Sequence, residues 1–370
     1  MRVLHVISDE NVGGAGVLLT SLLKNFDPEQ VQSTVALPEG SALCARIEGL
    51  GVPCIPLKHS ADRLLGASTL ELCRLIRRER PDIVHTNAAV CARVAARVCH
   101  VPVLHTRHCC FPPSGIWRLG AFRAIGGACN RSLSDLVIAT AEAAKHDLLL
   151  FGIPEEKIRV IPNGSEPVRS ITEAERRETM QKWGLLESDF TVGIAARLVA
   201  CKGHRIFLDA AKRLCERAPE IQFRFLLAGE GPLKEELEAY ARALGIADRV
   251  VFTGFLDDMA AFYRVLRVNV NCSVGTETSC LALSEGMSAS VPCVVSDYGG
   301  NTAMVGDSLA GWVYPAGDAV ALMDRILQIA ANAKLEAAMR QAAGERYFSC
   351  YTASAMARAV ETVYRELKKK

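Results

Sequence analysis

Thirteen short, strand-like runs alternate with helical patterns along this 370-residue chain, and the alternation stops and restarts once. The first series places strands at 3–8, 33–37, 54–57, 83–86, 102–106, 136–140 and 158–161. Helical patterns fall between them at 14–25, 69–78, 89–98 and 142–150. A strand followed by a helix and another strand, repeated with short connections, builds a parallel sheet covered by helices on both faces. The pattern breaks at Pro162-Asn163-Gly164-Ser165-Glu166-Pro167, whose turn-forming residues read as a linker. It resumes with strands at 191–196, 222–228, 250–253, 268–271, 293–296 and 311–314. The chain is also too long for one ordinary core. The expectation is an α/β protein of two doubly wound, Rossmann-like parallel-sheet domains, 1–165 and 166–349, facing a central cleft.

Composition removes several classes. Half the residues are hydrophobic and the net charge is +2, which gives no whole-chain reason to bind nucleic acid. The chain enters its first strand within a few residues, without the pattern of a signal peptide, and no window reaches 18 uninterrupted apolar residues. A cytoplasmic protein is expected. Its fourteen cysteines are scattered, with no C-x-x-C and one adjacent pair, Cys109-Cys110. Small buried hydrophobes in a reducing compartment account for them. Charge is uneven: from Arg63 to Arg131, with the flanking Asp62 counted, eleven arginines face four acids. A solvated face explains this. A patch for an anionic membrane surface or a phosphorylated acceptor is the sharper reading, with peripheral attachment to the inner face of the membrane.

In open parallel sheets ligands bind beyond the carboxyl ends of the strands, so residues just after strands carry the function. After the expected strand 268–271 stands Glu277, and Glu285 follows eight residues later, about two turns down a helix. A helix start offers unpaired amides and a positive dipole end to phosphate, leaving one carboxylate on either side of it. Arg197 and Lys202 flank the loop after the first strand of the second half, where a forked and a point cation can clamp a diphosphate. Gly229 and Gly231 follow the next strand, and Gly254-Phe255 the one after. In the first half, Gly13-Gly14 opens a helix without completing G-x-G-x-x-G, so a nicotinamide dinucleotide is weakly supported. His108, just past a strand, is the candidate histidine. His5, His85 and His105 read as structural.

Arg197…Lys202-Gly203, Ala228-Gly229-Glu230-Gly231-Pro232, Thr253-Gly254-Phe255 and Glu277…Glu285 occur in this order. The ordered set, with Gly13-Gly14, Thr106-Arg107-His108 and Ile161-Pro162-Asn163-Gly164, resembles the family 4 (group 1) retaining glycosyltransferases over nearly the whole chain. The resemblance implies the GT-B fold, with the helix at about 350–370 returning to the N-terminal domain. That domain would bind the acceptor, the C-terminal one the nucleotide sugar. It implies that Glu285 accepts from the ribose, that Glu277 sits by the donor sugar, and that Arg197 and Lys202 hold the diphosphate. Ser279 and the amides of Cys280, Leu281 and Ala282 would meet phosphate or sugar, and the main chain near Phe255 the base. Gly13 and Gly14 would let backbone approach the donor. Gly16 and Asn163 are acceptor-side candidates, and His108 would contact the donor sugar.

Two departures stand out. The family often has glycine at 280 and an aromatic at 279, where this chain has cysteine and serine. The expected reaction moves a sugar from a nucleoside diphosphate sugar to a hydroxyl of a glycan, lipid-linked or small-molecule acceptor, as in polysaccharide, glycan or glycolipid synthesis. Retention by same-face attack fits better than double displacement, because the two glutamates share one donor-binding segment and do not flank a bond. No D-x-D occurs where a divalent ion would sit; Asp257-Asp258 is adjacent, so no metal and no other cofactor is expected. The alternatives are a non-hydrolysing sugar-nucleotide epimerase of the same architecture and a non-catalytic nucleotide-sugar-binding protein.

Overall fold

A computed structural model of the chain describes residues 1–8, 13–59, 66–87, 89–108 and 120–369, with the side chains of 120–125 excepted. Arg63, Arg118, the loop at 9–12 and Cys109-Cys110 lie outside the described residues. The chain forms two compact units: Met1–Ser165 with Thr352–Lys370, and Glu166–Tyr351.

The first unit holds a seven-stranded sheet of β1 (Arg2–Ile7), β2 (Gln32–Pro38), β3 (Cys54–Leu57), β4 (Ile83–Asn87), β5 (Val103–Arg107), β6 (Leu136–Ala139) and β7 (Ile158–Val160). The strands are all parallel, in the order β3-β2-β1-β4-β5-β6-β7. The second unit holds β8 (Phe190–Ala195), β9 (Phe223–Ala228), β10 (Val250–Gly254), β11 (Val268–Asn271), β12 (Cys293–Ser296) and β13 (Gly311–Tyr314). These also run parallel, in the order β10-β9-β8-β11-β12-β13. Helices cover both faces, so central strands such as β4, β11 and β12 are buried along their full length. Each order reverses once, between the paired strands β1 and β4 and between β8 and β11, and the connections leaving these strands turn to opposite faces, which leaves room for a ligand beyond their carboxyl ends.

The stretch 162–167 is more than a linker. Asn163, Gly164 and Ser165 are buried. Ser165 O accepts from Ala353 N at 2.9 Å, and Gly164 N contacts Met356 Sδ at 3.2 Å. The final helix, Ala353–Lys368, is thereby pinned to the first unit. Further along it, Tyr364 hydroxyl lies 2.6 Å from His85 Nδ1, and Glu361 accepts from Asp27 N at 2.9 Å. His85 Nε2 reaches Thr106 Oγ1 at 2.7 Å, so both ring nitrogens are occupied in the core and the structural reading of this histidine stands.

The arginine-rich stretch is smaller as a surface than as a sequence. Arg93 is buried against Asn130 at 3.1 Å, and Arg97 pairs with Asp135 at 2.8 Å. Arg74, Arg77 and Arg78 remain exposed on the helix Ala67–Glu79, followed by exposed Arg80. Among the described residues no helix is long and apolar enough to cross a membrane.

Candidate active site

Loops at the β8/β11 reversal bring Lys202, Glu277 and Cys280 together in the second unit. After β8 the chain exposes Arg197, which makes no ion pair among the described residues, and then tightens into a 3-10 turn at Ala200–Lys202. Cys201 O accepts from Val274 N at 2.9 Å, tying this turn to the loop after β11. Lys202 Nζ is thereby set 2.6 Å from Glu277 Oε2. Glu277 is only 6% exposed. Burial works against the Lys202 ammonium, but the adjoining Glu277 carboxylate outweighs it and raises its pKa.

Ser273 Oγ also donates to Glu277 Oε2, at 2.8 Å, and Asn271 Nδ2 reaches it at 3.4 Å. All three donors meet the same oxygen. Asn271 and Ser273, which hold Glu277 together with Lys202, were not among the sequence candidates. The signal was present: a strand buried on both faces reads Val-Asn-Val-Asn, and buried amides require partners.

The helix after Glu277 begins later than expected, at Leu281, with Cys280 as its N-cap. Glu285 therefore lies one turn into the helix, a correction of the two turns expected. The reason is the irregular stretch 272–280, in which Thr276 takes a left-handed φ of 58° and Ser273 N turns back to Asn271 Oδ1 at 2.9 Å. The amides of Leu281 and Ala282 stand in the first turn, where no helical carbonyl precedes them. The Cys280 thiol is pushed up to about 12 by burial and by the Glu277 charge, so it stays protonated. Buried Ser279 lies immediately before it. Glu285 Oε2 accepts from Tyr263 at 3.0 Å. Burial lifts the Glu285 carboxyl to about 7, against the opposing pull of that bond.

Gly229 and Gly231 let neighbouring loops lie directly on each other. A Cβ on Gly229, whose φ is +133°, would stand 2.1 Å from Ala196 O, and one on Gly231 2.5 Å from Leu198 O. Gly229 N donates to Gly254 O at 2.9 Å, joining the loops after β9 and β10, and Phe255 next to it is 61% exposed.

In the first unit, Gly13 caps the helix Gly14–Asn25, and a Cβ on Gly14 would meet nothing within 4 Å among the described residues. Gly16 is different. It is buried, and a Cβ there would stand 2.6 Å from Leu43 Cδ2. Its smallness serves packing against the helix Leu43–Glu48. His108 Nε2 lies 2.8 Å from Asn87 Oδ1, and burial lowers the imidazole pKa to about 4, so the ring is neutral at pH 7. With buried Asn163 and His85 these two residues line a cavity of about 30 Å³ at the ends of β4–β6. A larger cavity of about 650 Å³ opens at the opposite, amino ends of β1 and β2, around Arg2 and Gln32. The chemistry-bearing residues lie at the carboxyl ends, where this sheet topology places ligands.

The second-unit arrangement can take a diphosphate on Arg197 and the free amides, a hydroxyl on Glu277 and a further hydroxyl pair on Glu285. Comparison with known proteins bears on which compound this is. Residues 189–332 match the profile of the group 1 glycosyl transferases, and residues 12–169 that of glycosyltransferase family 4. EpsD of Bacillus subtilis is 29% identical over 47% of this chain, a match spanning 45% of its own length. The 2-deoxystreptamine N-acetyl-D-glucosaminyltransferase of Streptomyces fradiae is 27% identical over 84% of this chain and 81% of its own. The crystal structure of Anabaena Alr3699/HepE in complex with UDP superposes with a TM-score of 0.85 at 18% identity, covering 99% of this chain and 100% of that one.

Proposed function

The chain belongs to the family 4, group 1 glycosyltransferases, and on that premise we propose that it moves a sugar from a uridine diphosphate sugar to an acceptor hydroxyl with retention of anomeric configuration. The observation that carries this is the state of Glu277. A nearly buried carboxylate at the strand-order reversal has one oxygen bound by Lys202, Ser273 and Asn271, while Oε1 takes no protein hydrogen bond among the described residues. Such a carboxylate is built to accept from a sugar hydroxyl beside a diphosphate.

In this reading Glu285 accepts from the ribose, and Arg197 with the amides of Leu281 and Ala282 takes the diphosphate. Lys202 leaves Glu277 to join them as charge develops on the leaving group. Cys280, with its side chain at the helix start, narrows the space for the sugar. On the N-terminal unit, neutral His108, with its Nε2 at Asn87, suits a substrate hydroxyl. Same-face attack, with the departing phosphate taking the acceptor proton, needs no protein nucleophile. The uridine choice is supported by the UDP-bound Anabaena structure. Exposed Arg74, Arg77 and Arg78 suit an anionic bilayer and hence a lipid-linked acceptor. Failure to bind anionic vesicles at low salt would remove that acceptor class.

The deciding experiment is a thermal-shift panel of uridine, guanosine and adenosine diphosphates and their sugars, since a ligand that binds only the folded state raises the melting temperature. Proton NMR of the product from the sugar that binds then reports its anomeric configuration. A protein that no nucleotide sugar stabilises, or a product of inverted configuration, sinks the reading.

A further inference from the structure

We propose that Asn271 is a positioning residue that decides how the Glu277 carboxylate faces, and that Ser296 and Asn301 in turn decide how Asn271 faces. This rests on Glu277 being the acceptor of a donor-sugar hydroxyl. The relay has a direction at every step. Ser296 spends its hydroxyl proton on Ser273 O at 2.7 Å, so toward Asn301 it can only accept. Asn301 Nδ2 donates to it at 3.1 Å and turns its other hydrogen to Asn271 Oδ1 at 3.2 Å. Asn271 Oδ1 also accepts from Ser273 N at 2.9 Å, which leaves Nδ2 pointing the other way. Its two hydrogens go to Glu277 Oε2 at 3.4 Å and Cys280 Sγ at 3.2 Å.

Every donor and acceptor of Asn271 is then matched, and its amide cannot be turned over without setting oxygen against a carboxylate and N–H against two donors. The residues are 7% exposed at Asn271 and fully buried at Asn301 and Ser296. Among the described residues Asn301 leaves its own Oδ1 buried without a partner, a cost accepted while both N–H groups stay aimed. The result is that Oε2 is held by protein and Oε1 is presented. A ligand group meeting Oε1 must donate, which selects a sugar hydroxyl. The sulfur of Cys280 is fixed by the same amide, so the two residues nearest the sugar are set together.

Asn271→Asp tests this, because it keeps the side-chain shape and replaces the donor facing Glu277 by an oxygen. The charged and titratable groups around that oxygen are Glu277, the Lys202 ammonium and the Cys280 thiol, which stays protonated. While the two carboxyls share a proton, that proton fills the place of the lost N–H. Once it leaves, the carboxylates repel and Oε1 is no longer held. The quantity to measure is the ratio of UDP-glucose to UDP affinity by calorimetry from about pH 5 to 8. Glu285 titrates in this range but enters both affinities and cancels.

The terminal phosphate of UDP, esterified in UDP-glucose, ionises at about pH 6, so the wild-type ratio drifts with pH and each variant is read against the wild type at the same pH. Asn271→Asp should match it at the low end and lose about tenfold as pH rises, the size of one hydrogen bond to a charged group. Asn271→Ser, too short to reach Glu277, should lose it at every pH while melting as a folded protein. A wild-type preference for UDP-glucose that both variants keep overturns the relay alone. A wild type that binds both ligands equally overturns the reading of Glu277 and the relay with it.

Discussion

Lys202 Nζ stands 2.6 Å from Glu277 Oε2, so without a ligand the cation expected to grip a diphosphate is held by the carboxylate expected to grip the sugar. The pair is mostly shielded, with side-chain exposures of 18% and 8%. Lys202→Ala should destabilise the fold by about 2–3 kcal/mol, below the full cost of breaking a buried pair because Ser273 and Asn271 still serve Glu277. It should also lower kcat about a hundredfold or more, by removing charge stabilisation at the leaving group. Glu277→Gln should leave UDP binding as tight or tighter, since Lys202 is released, while abolishing the advantage of the sugar. Denaturant titration and a double-mutant cycle measure the coupling; a coupling near zero, with normal turnover in Lys202→Ala, refutes the assignment.

Gly14 and Gly16 separate a ligand role from a packing role. Gly16→Ala drives a methyl toward Leu43 and should cost about 1–2 kcal/mol while leaving turnover per folded molecule unchanged. Gly14→Ala meets nothing within 4 Å among the described residues and should be neutral or stabilising by about 0.5–1 kcal/mol. A fall in kcat in Gly14→Ala without a fall in melting temperature identifies close ligand approach at that residue. Unchanged turnover there makes Gly13-Gly14 a plain helix start.

The architecture was largely legible because parallel strands buried on both faces leave unbroken apolar runs. β3, β11, β12 and β13 occupy the bounds read from sequence, and other strands differ by a residue or so at their ends. The short helix Leu43–Glu48 was not, since six residues show barely more than one turn of periodicity. Single residues after strands could be named as candidates, Glu277, Lys202 and Glu285 among them. The partner network could not, because Asn301 meets Asn271 only through the β11–β12 pairing. The packing of Gly16 against Leu43 was hidden for a related reason: a glycine beside a ligand loop and a glycine under a helix look alike in one sequence.

A chelator should leave activity intact. Asp258, which a divalent ion would need, is engaged by Arg169 at 2.7 Å and by Ala260 N at 2.9 Å. Turnover measured with excess chelator and after adding magnesium or manganese checks this; loss on chelation and recovery with the ion would reverse it.

Glu285 should make both stability and nucleotide affinity depend on pH. In the folded protein its carboxyl keeps the proton up to about 7, whereas its ordinary value is 4.5. Between these values the folded state binds more protons than the unfolded one. Its contribution is therefore fully present below about 4.5, is lost as pH rises toward 7 and is level above. The loss is at most about 3 kcal/mol, and Glu285→Gln should flatten the curve across that window. Ribose hydroxyls donating to the carboxylate favour its ionised form, so UDP should bind more tightly as pH rises from about 5 to 7 and release a proton on binding. Calorimetry in buffers of different ionisation enthalpy counts that proton. Tyr263→Phe removes the 3.0 Å bond that favours the ionised carboxylate and should shift the affinity curve to higher pH. Proton release that is absent in wild type, or unaltered in Glu285→Gln, would place the ribose elsewhere.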